Sequence, residues 1–162
     1  MRRGATITLR PAVPADAPTI AEIWQAGWAD GHLGRVPAGL VTARDAHSFL
    51  TRADQRVTNT TIALVDGGVA GFAIVVGDEV EQLYVAAAHR GRGVGDALLA
   101  DAERRIRATG HQTAWLAVVP GNAQARRFYE RRGWSDAGPF EYSAAAGEGS
   151  IPVPARRYLK AL

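Results

Sequence analysis

The feature that most constrains this chain is a short run in which glycines alternate with other residues, Arg90-Gly91-Arg92-Gly93-Val94-Gly95-Asp96. A strand-like segment, 79–86, stands before it. After it Val94, Leu98, Ala102 and Ile106 recur every four residues, as on one face of a helix. The run therefore joins the end of a strand to the start of a helix. The first N–H groups of a helix have no partners within it, and the helix dipole favours negative charge there. Alternating glycines remove the side chains that would keep an oxygen away from those N–H groups. Successive N–H groups then form a concavity for an anion, with arginines available at its rim. Spacing rules out two nucleotide sites. A dinucleotide fingerprint needs a further glycine at 96 or 98, which are Asp96 and Leu98. A P-loop needs Gly-Lys-Ser/Thr, and the only lysine is Lys160. A phosphate or pyrophosphate site remains, set against a plain glycine-rich turn. Three alternating glycines behind an arginine favour the site.

The rest of the chain supplies the frame. Ile7 and Leu9 alternate with Thr6, Thr8 and Arg10, which predicts a strand ended by Pro11. Asp16 can cap a helix carrying Ile20, Ile23, Trp24, Gly27 and Trp28 at helical spacing, with Pro18 in its first turn. A loop follows over about 30–40, and Thr42, with Asp45 three residues on, opens a second helix. Runs 60–65 and 69–76 flank Asp66-Gly67-Gly68, whose residues supply the positive φ of a hairpin turn; with 79–86 they read as an antiparallel meander. Gly110 stops the helix begun at Val94. A strand over 113–119 is bounded by Pro120-Gly121. Asn122 then caps a helix with Ala125, Phe128 and Tyr129 inward, which ends at Gly133. Two last strands, 134–142 and 151–159, flank a run of small residues, 144–149, read as a flexible link. The order β-α-α-β-β-β-α-β-α-β-β is α+β: a single central, mostly antiparallel sheet of about six to seven strands with about four helices on its faces. No repeat or interdomain linker is visible, so residues 1–162 are expected to form one domain.

Composition narrows the function. Apolar residues make up 47% and charged residues 22%, ordinary values for a globular protein. No apolar run approaches the roughly 20 residues of a membrane span. Thr6, Thr8 and Arg10 interrupt any signal-peptide core, so a cytoplasmic location is expected. The absence of cysteine excludes disulfides, thiolate zinc sites and a cysteine nucleophile. The net charge is +3. The pairs Arg104-Arg105, Arg126-Arg127, Arg131-Arg132 and Arg156-Arg157 are scattered among acids, which suits solvated surface and not a nucleic-acid face. A modest positive field still helps to attract an anionic cofactor. His47, His89 and His111 lack metal-ligand spacing, and no metal is expected.

The run from Arg90 to Gly95 resembles the cofactor motif of the GNAT superfamily of N-acetyltransferases, Q/R-x-x-G-x-G/A, between the fourth strand and third helix. Leu83-Tyr84-Val85 stands before it, where members carry similar apolar residues. Asn122-Ala123-Gln124-Ala125-Arg126-Arg127-Phe128-Tyr129, followed by Gly133-Trp134, resembles the family segment N-x-x-A-x-x-F/L-Y-x-x-x-G-F/W. The two motifs cover roughly 80–134 in the family's order, and the element order extends the likeness to nearly the whole chain. One departure concerns a turn: Ala86-Ala87-Ala88 replaces the proline many members carry there. The resemblance implies that strands 4 and 5 splay apart around the pantetheine arm of acetyl-CoA. It assigns the backbone of Leu83, Tyr84 and Val85 to pantetheine. Arg90, Gly91, Arg92, Gly93, Val94, Gly95 and Asp96 are assigned to the pyrophosphate, and Asn122 and Tyr129 to the cofactor near the fifth strand.

The implied reaction is direct attack of an amine on the thioester, with no covalent enzyme intermediate. An alkylammonium near pKa ~10 must first lose a proton. Alternate strand residues share a face, so Glu79, Glu81, Leu83 and Val85 are expected to point one way. Glu79 or Glu81 is then the candidate base, with solvated strand acids an equal reading. Tyr129 matches the family tyrosine whose hydroxyl faces the departing sulfur, and is the candidate acid. Family members admit the acceptor from the side of the first two helices and last strands. Trp24, Trp28, His32, Phe140 and Tyr142 are therefore candidate pocket residues, although the helical spacing of the two tryptophans also suits core. The implied function is N-acetylation of a primary amine, small molecule favoured. Alternatives are protein N-terminal or lysine acetylation, and a non-catalytic acyl-CoA-binding module. Many members are dimers, so a homodimer fits. Replacing Gly93 or Gly95 by Asp puts a carboxylate where the pyrophosphate would sit. Either variant, folded, is expected to lose acetyl-CoA binding in calorimetry.

Overall fold

A computed structural model describes residues 6–162. Seven strands, β1 (Ile7–Pro11), β2 (Thr60–Val65), β3 (Gly68–Val76), β4 (Glu79–Val85), β5 (Thr113–Val118), β6 (Ser135–Ala146) and β7 (Gly149–Ala161), form one sheet. Their spatial order is β1-β2-β3-β4-β5-β7-β6, and every neighbouring pair is antiparallel except β4 and β5. Five α-helices occur among the described residues: α1 (Ala17–His32), α2 (Ala38–Ala43), α3 (Ala46–Gln55), α4 (Val94–Ala108) and α5 (Ala123–Glu130). The α+β class and the sheet follow the expectation, with one helix more.

Strand alternation divides the core in two. On one face α1 and α3 press Ile20, Trp24, Trp28 and Phe49 onto Ile62, Phe72 and Ile74. On the other, α4 sets Leu99 and Ile106 against Val75, Val80 and Leu116, and Val94 and Leu98 against Ala63, Val65 and Ala73. The four-residue spacing read from the sequence of α4 is this buried stripe.

Three local readings change. The expected second helix is two helices, because Asp45 and not Thr42 is the cap. The Asp45 backbone is extended, and its carboxylate accepts from the Ser48 N–H at 2.8 Å, starting α3 afresh. Thr42 lies within α2 and donates its hydroxyl to the Ala38 carbonyl. Asp16 occupies the N-cap position of α1, but its side chain makes no capping hydrogen bond. It ends a 3-10 turn and turns back, accepting from the Val13 N–H at 2.8 Å and from Arg10 at 2.8 and 2.9 Å. Residues 144–149 are no flexible link either. β6 and β7 pair as far as Ala146 opposite Gly149, and Gly147 turns the chain at φ 57°. Small residues pass for linker in a sequence, but a complete ladder satisfies their backbone.

Two irregularities shape the centre of the sheet. β4 and β5 share a single ladder pair, Glu79 opposite Trp115. Trp115 ties that point to Asp78, donating its backbone N–H to the Asp78 carbonyl and Nε1–H to the carboxylate, both at 3.0 Å. Beyond it no ladder joins the two strands. The β3–β4 register also slips: Ile74 faces Gln82 and Val75 faces Val80, leaving Glu81 as the extra residue of a bulge. A one-residue slip exchanges the faces of all that follows. Leu83 and Val85 pack on the α4 side, while Tyr84 packs with Phe72 on the α1 side. Val80 reaches the α4 side, and Glu79, opposite Val76, emerges on the α1 and α3 side. The expectation that Glu79, Glu81, Leu83 and Val85 share a face is thereby corrected.

Tyr84 fits under α1 only because residue 27 is glycine: a Cβ there would lie 2.3 Å from the Tyr84 ring. Gly27→Ala gains about 1 kcal/mol of helix propensity but must displace a packed ring, at about 1–3 kcal/mol. A lower melting temperature is expected, and restoration by Tyr84→Leu in the same chain would show that the ring is the cause.

Candidate active site

The divergence of β4 from β5 opens a cleft of about 900 Å³, bounded also by α3, the end of α1, the start of α5 and β6. Glu79, Glu81, Tyr84, Tyr129 and Tyr142 all line it. Glu79 accepts a hydrogen bond from the Tyr142 hydroxyl at 2.8 Å. Burial pushes its pKa up to about 7; the negative charges of Glu81 and Asp78 add to the rise, and the Tyr142 hydrogen bond and Arg56 oppose it. Glu81 differs. Its carboxylate is paired with Arg56, Nε to Oε1 at 3.0 Å. The bulge thus yields two neighbouring acids of different character, one held by a cation and one poised near neutrality.

Tyr129 is half-buried, its ring edge-on to Phe128 at 5.1 Å and to Trp134 at 6.1 Å. Burial raises its hydroxyl to about 12, so the phenol stays protonated. Asn122 is the N-cap of α5 that its sequence suggests, accepting from the Ala125 N–H at 3.2 Å. Its amide nitrogen lies against Gly31, where a Cβ would stand 3.0 Å away.

The glycine run behaves partly as read. Gly91 and Gly93 have φ of 76° and 83°, a left-handed backbone that favours glycine, and Gly93 is the N-cap of α4. Gly95 is needed for another reason. A Cβ there would lie 3.1 Å from the Phe128 ring, so Gly95 lets α5 pack on α4, and Gly93→Asp is the cleaner test of anion binding. The Arg90 guanidinium reaches Asp30 at 3.0 Å and the Val85 carbonyl at 3.4 Å, tying the run to α1 and β4. Asp96 pairs with Arg132, whose guanidinium lies 3.7 Å from the Phe128 ring centroid. Arg92 is exposed. The structure therefore brings the N–H groups of the run to the start of α4, but Arg90 and Asp96 brace it from outside.

Of the candidate pocket residues, Trp28, His32 and Tyr142 line the cleft. Trp24 is fully buried in the core beside Phe49 and Phe72. Phe140 stacks edge-on with Trp115 at 6.2 Å under Arg157 and does not line the cleft. The His32 Nδ1 sits 2.9 Å from the Trp28 carbonyl, and burial lowers its pKa to about 4, leaving the ring neutral at pH 7. Sequence reading missed Arg44, Arg52 and Arg56, which enter the cleft from the α2–α3 link, α3 and its end. The spacing of 52 and 56 on one helix face was the only available signal. Among the described residues no group of three or more His, Cys, Asp or Glu could hold a metal. No helix among them is long and apolar enough to cross a membrane.

The pKa of Glu79 has a sign that stability can report. It is raised above its unfolded value, so the folded state holds the extra proton and loses stability as pH climbs from about 4.5 to about 7. Glu79→Gln mimics the protonated form. Its melting temperature is expected to exceed wild type at pH 8 and to match it at pH 4; the same difference at both would mean that the ionisation is not costly.

Residues 20–134 match the model of the acetyltransferase (GNAT) family. The chain is 31% identical over 157 residues to streptothricin acetyltransferase of Streptomyces lavendulae, with 88% of this chain and 75% of that protein aligned. A GCN5-related N-acetyltransferase structure from Rhodopseudomonas palustris superposes with a TM-score of 0.77 at 25% identity, covering 100% of this chain and 99% of the other. PaiA N-acetyltransferase from Thermoplasma acidophilum, solved in complex with coenzyme A, shares the fold with a TM-score of 0.71 at 18% identity over 97% and 99% of the two chains. The matched span holds the glycine run, the bulged β4 and the Asn122–Trp134 segment, and on this evidence the chain belongs to the GNAT family of acetyltransferases.

Proposed function

We propose that the protein transfers an acetyl group from acetyl-CoA directly to a primary amine of a small molecule. One observation carries the reading: Glu79, half-ionised near neutral pH, lines the same cleft as Tyr129, a phenol that stays protonated. Three others support it. A protein of the same fold is solved with coenzyme A. A relative is named for a compound, streptothricin, as acceptor. The cleft has the size of a small-molecule site. A single unit over 1–162 and a cytoplasmic location belong to the same proposal.

When bound, acetyl-CoA supplies the thioester whose C–S bond breaks as the C–N bond to the amine forms. The residues handle two protons. Glu79 accepts the proton that the attacking nitrogen must lose, and a base near pKa 7 suits that task at neutral pH. Tyr142 fixes the carboxylate through its hydroxyl. Glu81 contributes its charge, which raises Glu79, while Arg56 holds it in place. Tyr129 offers its O–H to the departing sulfur. A phenol raised to about 12 is a weaker acid than an ordinary alkyl thiol and does not surrender its proton outright to the departing thiolate. Its contribution is a hydrogen bond that stabilises the developing charge. The glycine run would hold the pyrophosphate on the first N–H groups of α4.

Glu79→Gln is expected to lower kcat by ~10²-fold or more and to flatten the rise in rate near pH 7. Tyr129→Phe should lower kcat by ~10- to 100-fold with acetyl-CoA affinity and melting temperature unchanged. Thiol release in an acceptor screen of polyamines, aminoglycosides, amino acids and peptides reads both. Full activity in either variant removes that residue from the chemistry, and no thiol release with any amine overturns the enzyme reading.

A further inference from the structure

We infer that the cleft recognises a carboxylate on the acceptor through Arg44 and Arg52, so that the natural acceptor is an amine that also bears a carboxylate. This rests on the small-molecule amine reading above and narrows its substrate class.

The argument is an imbalance of charge. Arg44 stands between α2 and α3, is only 8% exposed and lines the cleft. Its Nε is buried with no hydrogen-bond partner, and no carboxylate pairs with it among the described residues. Arg52, one turn and more along α3, also lines the cleft without a carboxylate partner; its guanidinium lies over the Trp24 ring at 4.5 Å. A buried cation costs several kcal/mol unless paired, so the buried Arg44, with the half-buried Arg52 in the same wall, is an arrangement that a ligand anion would relieve.

The acids nearby cannot do so, because each is already engaged. Asp45 caps α3 through the Ser48 N–H, Glu81 is paired with Arg56, and Glu79 holds the Tyr142 hydroxyl. His32 is neutral at pH 7 and brings no counter-charge. Burial lowers both arginines, Arg44 to about 10 with the charge of Arg52 adding to the fall, while Glu81 offsets part of it at Arg52. Both remain charged at pH 7, and among the described residues Arg44 has no carboxylate to answer it. Tyr142, whose hydroxyl touches Glu79, lines the same cleft as Arg44 and Arg52. The candidate base and the unpaired cations therefore face one cleft, an arrangement for a molecule with an amine at one end and a carboxylate at the other. Guanidinium recognition of carboxylate is bidentate and charge-assisted, worth about ten- to a hundredfold in affinity.

The test compares free amino acids and short ω-amino acids with the same compounds as carboxamides, on wild type, Arg44→Gln and Arg52→Gln. Thiol release gives kcat/KM, and calorimetry gives binding without turnover. The expected result is a ten- to hundredfold preference of wild type for the carboxylate member of at least one pair, largely abolished in both variants. Acetyl-CoA affinity should be unchanged in both; a parallel loss would give the arginines to the cofactor and overturn the inference. Inorganic phosphate is a further arm: Arg44-dependent binding of phosphate with none of any carboxylate overturns the choice of anion. Arg44→Met should raise the melting temperature of the ligand-free protein, because it removes an unpaired buried charge; a fall would mark Arg44 as structural and overturn the inference. Turnover of amides and acids at equal kcat/KM overturns it while the enzyme reading stands. Arginine-dependent carboxylate binding without thiol release from any amine supports the anion site and sinks the enzyme reading.

Discussion

The molecule depends on how little holds β4 to β5. One ladder pair at Glu79 and Trp115, fastened by two hydrogen bonds to Asp78, carries the sheet across its parallel junction. Strands that stay paired leave no room between them; strands that never meet leave no sheet. Joining them at one end and releasing them at the other gives a wedge whose walls are backbone as well as side chain. Because β1–β4 and β5–β7–β6 are joined by a strand ladder only there, helix packing must help to keep the halves together. α4 does so, burying residues against β3, β4 and β5 on one face. Backbone groups released by the splay stand along the cleft, where a ligand can use them.

The bulge at Glu81 gives the cleft its polarity. Without the extra residue, strict alternation would put Glu79 among the apolar groups beneath α4. With it, Glu79 meets Tyr142 from β6 in the cleft that the arginines of the α2–α3 region also line. The concentration of half-buried charge is costly, and its acids are each engaged, Glu81 with Arg56, Asp45 with a helix N-terminus and Glu79 with a hydroxyl, while among the described residues Arg44 and Arg52 have no carboxylate partner. Strongly perturbed groups cluster in such places when charge is arranged for chemistry and not for stability.

Glycine enforces the approach of helices to this frame. Gly27 admits the Tyr84 ring, Gly31 the Asn122 amide and Gly95 the Phe128 ring, each where a Cβ would stand at 3.1 Å or less. Three helices are thus drawn onto β4 and onto one another around the wedge. Of these, Gly27 and Gly31 sit inside α1, where glycine weakens the helix by about 1 kcal/mol apiece relative to Ala. Close packing against the cleft wall outweighs that loss.

By itself the sequence determined whatever rests on local periodicity and turn chemistry. The buried stripe of α4, the Asp66-Gly67 hairpin, the Asn122 cap and the glycine run at the start of α4 are all interactions within a few residues, and all are present. The pairing of the glycine run with the Asn122–Trp134 segment was enough to indicate the family. It did not fix the Asp45 cap, because Thr42 and Asp45 compete on equal local terms and tertiary contacts decide. Nor did it show that 144–146 and 149 are strand around a two-residue turn, since small residues carry no pattern until a partner strand supplies one. Above all it could not place Glu79. Period-two counting has no term for a bulge, which exists only as a mismatch between two strands, and that mismatch alone turned the carboxylate toward Tyr142. Arg44 was equally silent: a charge reads as solvated surface until the fold buries it and leaves it without a partner.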